Sequence, residues 1–172
     1  MNCMTVGGDI SPADLRKSLG SYCSGVTIVG GRDAEGNLFG MTCQSFHSLS
    51  LDPPLVAYFA DRASKSYREL RRLDRFCISV LAADQAALAS RFSRSGIDRW
   101  AGTEWSEDCF GQPVISGSIA SISCRSYDEH EGGDHFINVS RVEALRHDQS
   151  KRPLLFFRSS FAHLGNEATS ER

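Results

Sequence analysis

The side chains best suited to bind a polar ligand lie in one segment, residues 40–55, with the sequence Gly-Met-Thr-Cys-Gln-Ser-Phe-His-Ser-Leu-Ser-Leu-Asp-Pro-Pro-Leu. Hydroxyl or amide groups recur in it at Thr42, Gln44, Ser45, Ser48 and Ser50. Because proline cannot donate to a sheet ladder, Pro53 and Pro54 predict a sheet edge or a turn here. Free backbone N–H groups and hydroxyls could then donate to one ligand. These residues alone are equally compatible with a cradle for a polar cofactor tail and with a self-capping serine-rich loop.

The neighbouring segments predict the strands that hold this segment in place. Residues 26–29, Val-Thr-Ile-Val, are β-branched and predict a strand. Residues 33–37, Asp-Ala-Glu-Gly-Asn, are typical of a hairpin turn, so the two strands should pair antiparallel. Thr27 is therefore expected close to Thr42 or its neighbours. After the prolines, residues 55–60 form the most apolar predicted strand.

Three short helices are predicted beside these strands. Ser11 as N-cap and Pro12 at the first helical position begin one, in which Leu15, Leu19 and Tyr22 or Cys23 recur at helical spacing. A second is expected over Tyr67–Leu73 after a polar loop, with Leu70 and Leu73 facing inward. A third follows Asp84 as its cap and runs through Leu88 to Phe92.

The last third of the chain predicts two more strands, over residues 115–127 and 135–145, joined by a hairpin loop at residues 131–134. Their alternation of inward and outward residues slips near Ser140. Residues 93–112 show no periodicity, and a loop of that length is usually functional or mobile. Short antiparallel strands closed by hairpins, with two or three helices, predict a small barrel.

Composition excludes several classes of protein. A chain of 172 residues with 41% hydrophobic content fits one domain, and 19 basic against 21 acidic residues give no reason to expect a nucleic-acid partner. No apolar run approaches the roughly 20 residues of a membrane helix. The N-terminus lacks the features of a secretory signal, so we expect a cytoplasmic protein without a membrane partner. The six cysteines are scattered without zinc or thioredoxin spacing and are expected to be reduced thiols.

Five motifs in one order carry a family resemblance: residues 24–29, 40–55, 98–102 (Asp-Arg-Trp-Ala-Gly), 133–135 (Gly-Asp-His) and 153–157 (Pro-Leu-Leu-Phe-Phe). Together they resemble the flavin reductase-like family, the NAD(P)H-dependent reductase components of two-component monooxygenases. The resemblance covers about residues 12–164. It implies a mainly β (α+β) fold, the FMN-binding split β-barrel, an antiparallel Greek-key barrel with flanking helices, which usually forms homodimers with the flavin near the interface. The expected organisation is an N-terminal extension over residues 1–10, one domain over 11–165 and a disordered tail over 166–172.

The resemblance also implies the site residues. The expected flavin contacts are Thr27, Met41, Thr42, Cys43, Gln44, Ser45, Phe46, Ser48 and Ser50. The sequence departs from the family at Gln44, where an asparagine is usual and the extra methylene changes the geometry of the contact. Ser64, Lys65 and Ser66 resemble a loop that reaches the flavin phosphate, while Arg99 either binds a phosphate or pairs with Asp98 or Glu104. Cys43 is given no redox role.

His135, in the Gly-Asp-His motif, is the candidate catalytic residue, since the family places there a residue that helps to dock the nicotinamide. Hydride transfer between two cofactors needs no acid–base triad. Nor does the chain carry a Gly-x-Gly-x-x-Gly or P-loop motif.

The implied activity is reduction of FMN or FAD by NADH or NADPH, with diffusible reduced flavin passed to a separate monooxygenase. The alternative is a non-catalytic split-barrel module that holds flavin as a sensor or store. A pyridoxamine-phosphate-oxidase-like enzyme would share the architecture but call for an Arg/Lys cluster that residues 40–55 lack.

Overall fold

Antiparallel strands make up most of the computed structural model, which describes residues 10–165. The helices are α1 (Pro12–Leu19), α2 (Lys65–Leu70) and α3 (Ala86–Ser93), with a 3₁₀ turn at Ala83–Gln85 before α3. The strands are β1 (Ser24–Gly25), β2 (Thr27–Arg32), β3 (Leu38–Cys43), β4 (His47–Leu51), β5 (Pro54–Asp61), β6 (Arg75–Val80), β7 (Trp105–Glu107), β8 (Pro113–Ile115), β9 (Ala120–Gly132), β10 (His135–His147), β11 (Leu155–Phe157) and β12 (Ser160–Ala162). Within this range, no helix has the length and apolar character needed to span a bilayer.

Seven strands form the main sheet in the order β3-β2-β6-β9-β10-β5-β4. The sheet curls until the end of β3 approaches β5. At that seam Ser45 Oγ donates to the carbonyl of Phe59 at 2.9 Å and accepts from its N–H at 3.1 Å. Side-chain bonds therefore close the barrel where a strand ladder would otherwise run, and the predicted split, mainly β barrel is confirmed.

Two hydrophobic clusters lie on opposite sides of the β2–β3 pair. The first fills the barrel, where Tyr58 packs edge-on against Tyr67 and Phe76 at ring-centroid distances of 6.1 and 5.8 Å. The second lies outside and includes Phe92 of α3 and Trp100, whose rings are 5.0 Å apart. The β2–β3 pair is thus packed on both faces.

The predicted hairpins and the strand slip are confirmed. Residues 33–37 join β2 to antiparallel β3, and Thr27 pairs with Cys43, next to Thr42. The β9–β10 pairing shifts register between Val139 and Ser140, where the alternation slipped. Some boundaries were wrong: β2 runs from Thr27 to Arg32, and Ile115 belongs to β8 rather than to the long strand that follows.

The helix starts depend on their capping residues. Ser11 caps α1 as predicted, accepting from the N–H of Asp14, but the helix ends at Leu19, before Tyr22 and Cys23. Ser64 caps α2, so this helix covers Lys65–Leu70 and not Tyr67–Leu73 as predicted.

The expected cap at Asp84 was also wrong, because Gln85 Oε1 accepts from the N–H of Ala82 instead. Within the long loop of residues 93–112, the structure forms β7. Residues 1–9 and 166–172, which hold most of the expected extension and the tail, lie outside the described range.

Candidate functional site

An open cleft of about 450 Å³ lies at the seam between β3 and β5. Its lining residues are Met41, Thr42, Cys43, Gln44, Ser45, Phe59, Ala60, Asp61, Ser64, Phe92, Ser93, Arg99 and His135. The structure thus brings together eight of the predicted site residues: Met41, Thr42, Cys43, Gln44, Ser45, Ser64, Arg99 and His135. They come from β3 and the two residues after it, the N-cap of α2, the loop after α3, and the first residue of β10.

The β3 wall of the cleft is fixed by its own hydroxyls. Thr27 lies behind the wall and donates from Oγ1 to the carbonyl of Cys43 at 2.9 Å. Thr42 Oγ1 donates to the carbonyl of Ala89 in α3 at 2.6 Å. Because its proton is committed to the protein, the Thr42 hydroxyl can offer a ligand in the cleft only its lone pairs. Burial raises the pKa of the Cys43 thiol, so it stays neutral.

Donors for a ligand come from elsewhere on this wall. Gln44 is exposed and presents its amide to the cleft. β3 is also an edge strand of the sheet, so backbone groups on its outer side are not used in the ladder with β2. The segment just before Pro53 and Pro54, predicted to be an edge or a turn, forms β4, the strand at the other edge of the sheet.

The rings of Phe92 and Trp100 pack against the β3 wall from outside the barrel. Gly30 and Gly40 pair across β2 and β3, and Trp100 lies over both. A Cβ on Gly40 would lie 2.6 Å from Cε1 of Phe92 and 3.1 Å from Cζ2 of Trp100. Only glycine allows this approach of rings to the strand backbone.

Arg99 ties three segments together beside the cleft. Its Nη1 donates to the carbonyl of Gly40 at 2.7 Å and to Ser66 Oγ, and its Nε donates to the carbonyl of Arg94 at 2.7 Å. Burial lowers the pKa of this guanidinium without neutralising it. The predicted alternative, pairing with Asp98 or Glu104, is therefore wrong.

Asp98 instead caps the turn of its own loop, accepting from the N–H groups of Trp100 and Ala101 at 3.0 and 3.2 Å. The Asp-Arg-Trp-Ala-Gly motif thus has a structural function. It locks the loop so that Arg99 is held against β3.

The phosphate loop predicted at residues 64–66 is only partly in the cleft. Ser64 lines it and accepts from the N–H of Tyr67 as the cap of α2, which leaves the Ser64 O–H free. Ser66 is held by Arg99, and Lys65 is exposed outside the lining.

His135 forms the opposite rim of the cleft. It begins β10 and pairs with Asp61 of β5, while its Nδ1 lies 2.6 Å from Asp134 Oδ1. This contact lowers the pKa of Asp134. Since an ionised carboxylate can only accept, the proton must be on Nδ1, and Nε2 remains available to a ligand.

Besides Thr27, Lys65 and Ser66, three further predicted residues lie outside the cleft lining. Phe46 packs against the cluster inside the barrel, and Ser48 and Ser50 belong to the edge strand β4. Their role in binding stays a prediction.

The sequence did not single out Phe59, Ala60, Asp61, Phe92 and Ser93, which also line the cleft. Phe59 and Asp61 alternate along β5 with the buried Tyr58 and Ala60. This alternation was the available signal, but the run of apolar residues obscured it.

A split barrel with this cleft at its seam has the architecture of flavin-binding proteins. A family model described as "Flavin reductase like domain" matches residues 19–165. The chain therefore belongs to the flavin reductase-like family.

Similar proteins include reductases that serve monooxygenases. The chain is 39% identical over 160 residues to a protein of Rhodococcus jostii named flavin-dependent monooxygenase, reductase subunit HsaB, covering 93% of this chain and 82% of that protein. The structure of nitrilotriacetate monooxygenase component B from Mycobacterium thermoresistibile matches with TM-score 0.87 and 38% identity, over 93% of this chain and 90% of the other. That of the Streptomyces globisporus NADH:FAD oxidoreductase SgcE6, in complex with NAD and FAD fragments, matches with TM-score 0.86 and 30% identity, over 91% and 94%.

Proposed function

We propose that this protein is a flavin reductase, in which NADH reduces FMN or FAD and the reduced flavin passes to a partner monooxygenase. The observation that carries the proposal is the cleft itself. A buried β3 wall faces His135 across a space of about 450 Å³ in a chain that belongs to the flavin reductase-like family. NADH is favoured over NADPH because the similar SgcE6 is named an NADH:FAD oxidoreductase.

The residues of the cleft fit a flavin. Phe59, 39% exposed on the cleft, offers a flat apolar surface, and Met41 and Ala60 extend it. Gln44 and the outer backbone of β3 supply neutral donors and acceptors for ring and ribityl atoms. Arg99 and the free O–H of Ser64 are suited to a phosphate.

His135 would dock the nicotinamide. In the neutral imidazole the contact with Asp134 places the proton on Nδ1, so Nε2 can accept from the N–H of a carboxamide. The hydride transfer is chemistry that flavin and nicotinamide supply between them, so the protein needs only to orient the rings and exclude water.

Flavin would behave as a substrate that leaves after reduction. Each neutral hydrogen bond contributes about 0.5–1.5 kcal/mol net, and each bond to a charged group about twice that. A few such bonds and ring contacts give a Kd nearer micromolar, about −8 kcal/mol, than picomolar. A ligand held at that affinity can dissociate and reach a separate oxygenase.

We also infer a homodimer and a cytoplasmic location. The dimer is supported by family resemblance, and light scattering at micromolar concentration tests it. A reducing compartment is consistent with five free cysteines in the described range: Cys23, Cys43, Cys77, Cys109 and Cys124.

The decisive experiment is a steady-state assay of NADH and NADPH oxidation at 340 nm with and without added FMN or FAD. We expect oxidation that depends on added flavin, and flavin lost on dialysis. If neither nucleotide is oxidised above background, the reductase proposal is wrong. Flavin that stays bound through dialysis without turnover would favour the sensor or store.

A further inference from the structure

Arg62 lies in the loop between β5 and α2, outside the cleft lining, yet it makes three polar contacts at the tip of the β9–β10 hairpin. Its backbone N–H donates to the carbonyl of Asp134 at 3.0 Å. Its Nη1 donates to the carbonyl of Gly133 at 3.0 Å. Its Nη2 lies 2.6 Å from Glu131 Oε1. One residue thus bonds to both turn residues, Gly133 and Asp134, and to Glu131 near the end of β9.

The Arg62 guanidinium also packs over an aromatic ring. The Arg62 Cζ lies 4.8 Å from the ring centroid of Phe136, the residue after His135. The Cζ of Arg71, the C-cap residue of α2, lies 4.5 Å from the same centroid. The Arg62 side chain is 40% exposed, so its contacts are partly shielded from water. Stacking and hydrogen bonding therefore act on the two residues that flank His135.

The position of Arg62 connects two parts of the cleft. The preceding residue, Asp61, lines the cleft and pairs with His135 at the end of the β5–β10 ladder. Two residues later, Ser64 lines the cleft and caps α2. Beyond His135 the β5–β10 ladder stops, so only pairing with β9 supports this end of β10, and residues 131–134 are all exposed. The turn has little apolar packing of its own to hold it.

We infer that Arg62 is a positioning residue for nicotinamide binding: it holds the β9–β10 turn so that His135 faces the cleft. The inference rests on the proposed function and adds to it a residue that touches neither cofactor. Loss of the guanidinium leaves the β3 wall intact, because the wall is held by Thr27, Thr42 and Arg99. NADH binding should weaken while flavin binding does not.

The geometry requires an arginine. Two Nη groups reach Gly133 and Glu131 at once, and the planar group stacks on Phe136. A lysine keeps the charge but offers one compact ammonium without a planar face. Arg62→Lys should therefore restore part of what Arg62→Ala loses.

The test compares Arg62→Ala and Arg62→Lys with Arg72→Ala as matched control. Arg72 pairs with Glu69 at 3.0 Å, in an exposed ion pair on the same helix–loop region. Removing bonds from a charged donor should raise the KM for NADH about tenfold in Arg62→Ala and about threefold in Arg62→Lys. Both kcat and the flavin Kd should stay within about twofold of wild type, as should all constants of Arg72→Ala.

A second variant separates the contacts. Glu131→Ala removes the ion pair but leaves the bond from Arg62 to the Gly133 carbonyl. Since the pair is exposed on the Glu131 side, the KM for NADH should rise less than about threefold. If Arg62→Ala does not fold, Arg62→Lys and Glu131→Ala carry the test.

Two results would overturn the inference. One is an Arg62→Ala protein whose KM for NADH matches that of Arg72→Ala. The other is equal weakening of flavin and NADH, which indicates a general structural role. Hydrogen exchange of the backbone amides of residues 133–136 gives a readout that needs no activity. Exchange should accelerate in Arg62→Ala, and unchanged exchange would contradict the role of Arg62 in holding the turn.

If the wild type oxidises neither nucleotide, the proposed function fails, and exchange alone decides whether Arg62 holds the turn.

Discussion

On the β3 side of the cleft, Thr27 and Thr42 donate to backbone carbonyls and the Cys43 side chain is buried beneath the surface. On the opposite side, the His135 side chain is 44% exposed and that of Asp134 is 92% exposed. Strands packed on both faces make the first wall, and the end of a hairpin makes the second. Arg62, which lies outside the cleft lining, contacts the hairpin that forms this second wall.

If the proposed function is right, this difference separates how flavin and nicotinamide would bind. A wall whose hydroxyls already bond to the backbone does not reorganise when a flavin arrives, so binding costs little ordering entropy. An exposed rim can adjust to a nicotinamide that must enter and leave in every cycle. Damage to the first wall should therefore affect folding and flavin together, whereas damage to the rim should affect only the nicotinamide.

The largest effect is expected from Gly40→Ala. Alanine would gain about 0.5–1 kcal/mol over glycine in a strand through backbone entropy. Overpacking costs about 1–3 kcal/mol. This cost should exceed the gain in backbone entropy, because the new Cβ meets the buried rings of Phe92 and Trp100. Displacement of Trp100 also moves Arg99, so the flavin Kd should rise about tenfold. Urea unfolding and flavin titration measure the two effects.

Gly25→Ala is the matched control, because a Cβ there meets nothing within 4 Å. It should change the free energy of unfolding by less than about 0.5 kcal/mol. A Gly40→Ala protein as stable as this control would show that the rings of Phe92 and Trp100 move aside at little energetic cost. The β3 wall would then be no more rigid than the His135 rim.

The sequence predicted the structural features that depend on residues close together in the chain. The hairpin at residues 33–37, the cap at Ser11 and the slip at Ser140 depend on neighbours in the chain, and all three are confirmed. The lining role of Phe59 and Asp61 depends on how β5 pairs with β10 and how the barrel closes. The alternation along β5 could show that both side chains face away from the core, but pairing between strands about 80 residues apart leaves no local pattern to show that they line a cleft.

An intermediate effect is expected at the rim. His135→Ala removes the Nε2 acceptor without touching β3, so the KM for NADH should rise about tenfold while the flavin Kd changes less than about twofold. His147→Ala, at the exposed far end of β10, is the control and should change neither constant. Equal losses of both ligands in His135→Ala would mean that the two sides of the cleft act as one unit.

The smallest effect is expected from Asp134→Asn, and it has a defined pH dependence. The contact with His135 lowers the pKa of Asp134 below its ordinary 3.8. A carboxyl whose pKa is lower in the folded state stabilises the protein above the unfolded pKa, and this contribution is lost as the pH falls through the folded pKa. The variant should therefore melt slightly below wild type at neutral pH, and the difference should disappear as the pH falls below 3.8.

Asparagine can still accept from Nδ1 of His135, so the ring should keep its tautomer and the KM for NADH should rise less than about threefold. Melting temperatures across this pH range and the KM at neutral pH give both measurements. A rise in KM as large as that of His135→Ala would show that the charge of Asp134, and not the orientation of the ring, is what the nicotinamide needs. The rim would then bind through a carboxylate–imidazole pair, and its contrast with the neutral β3 wall would be electrostatic as well as structural.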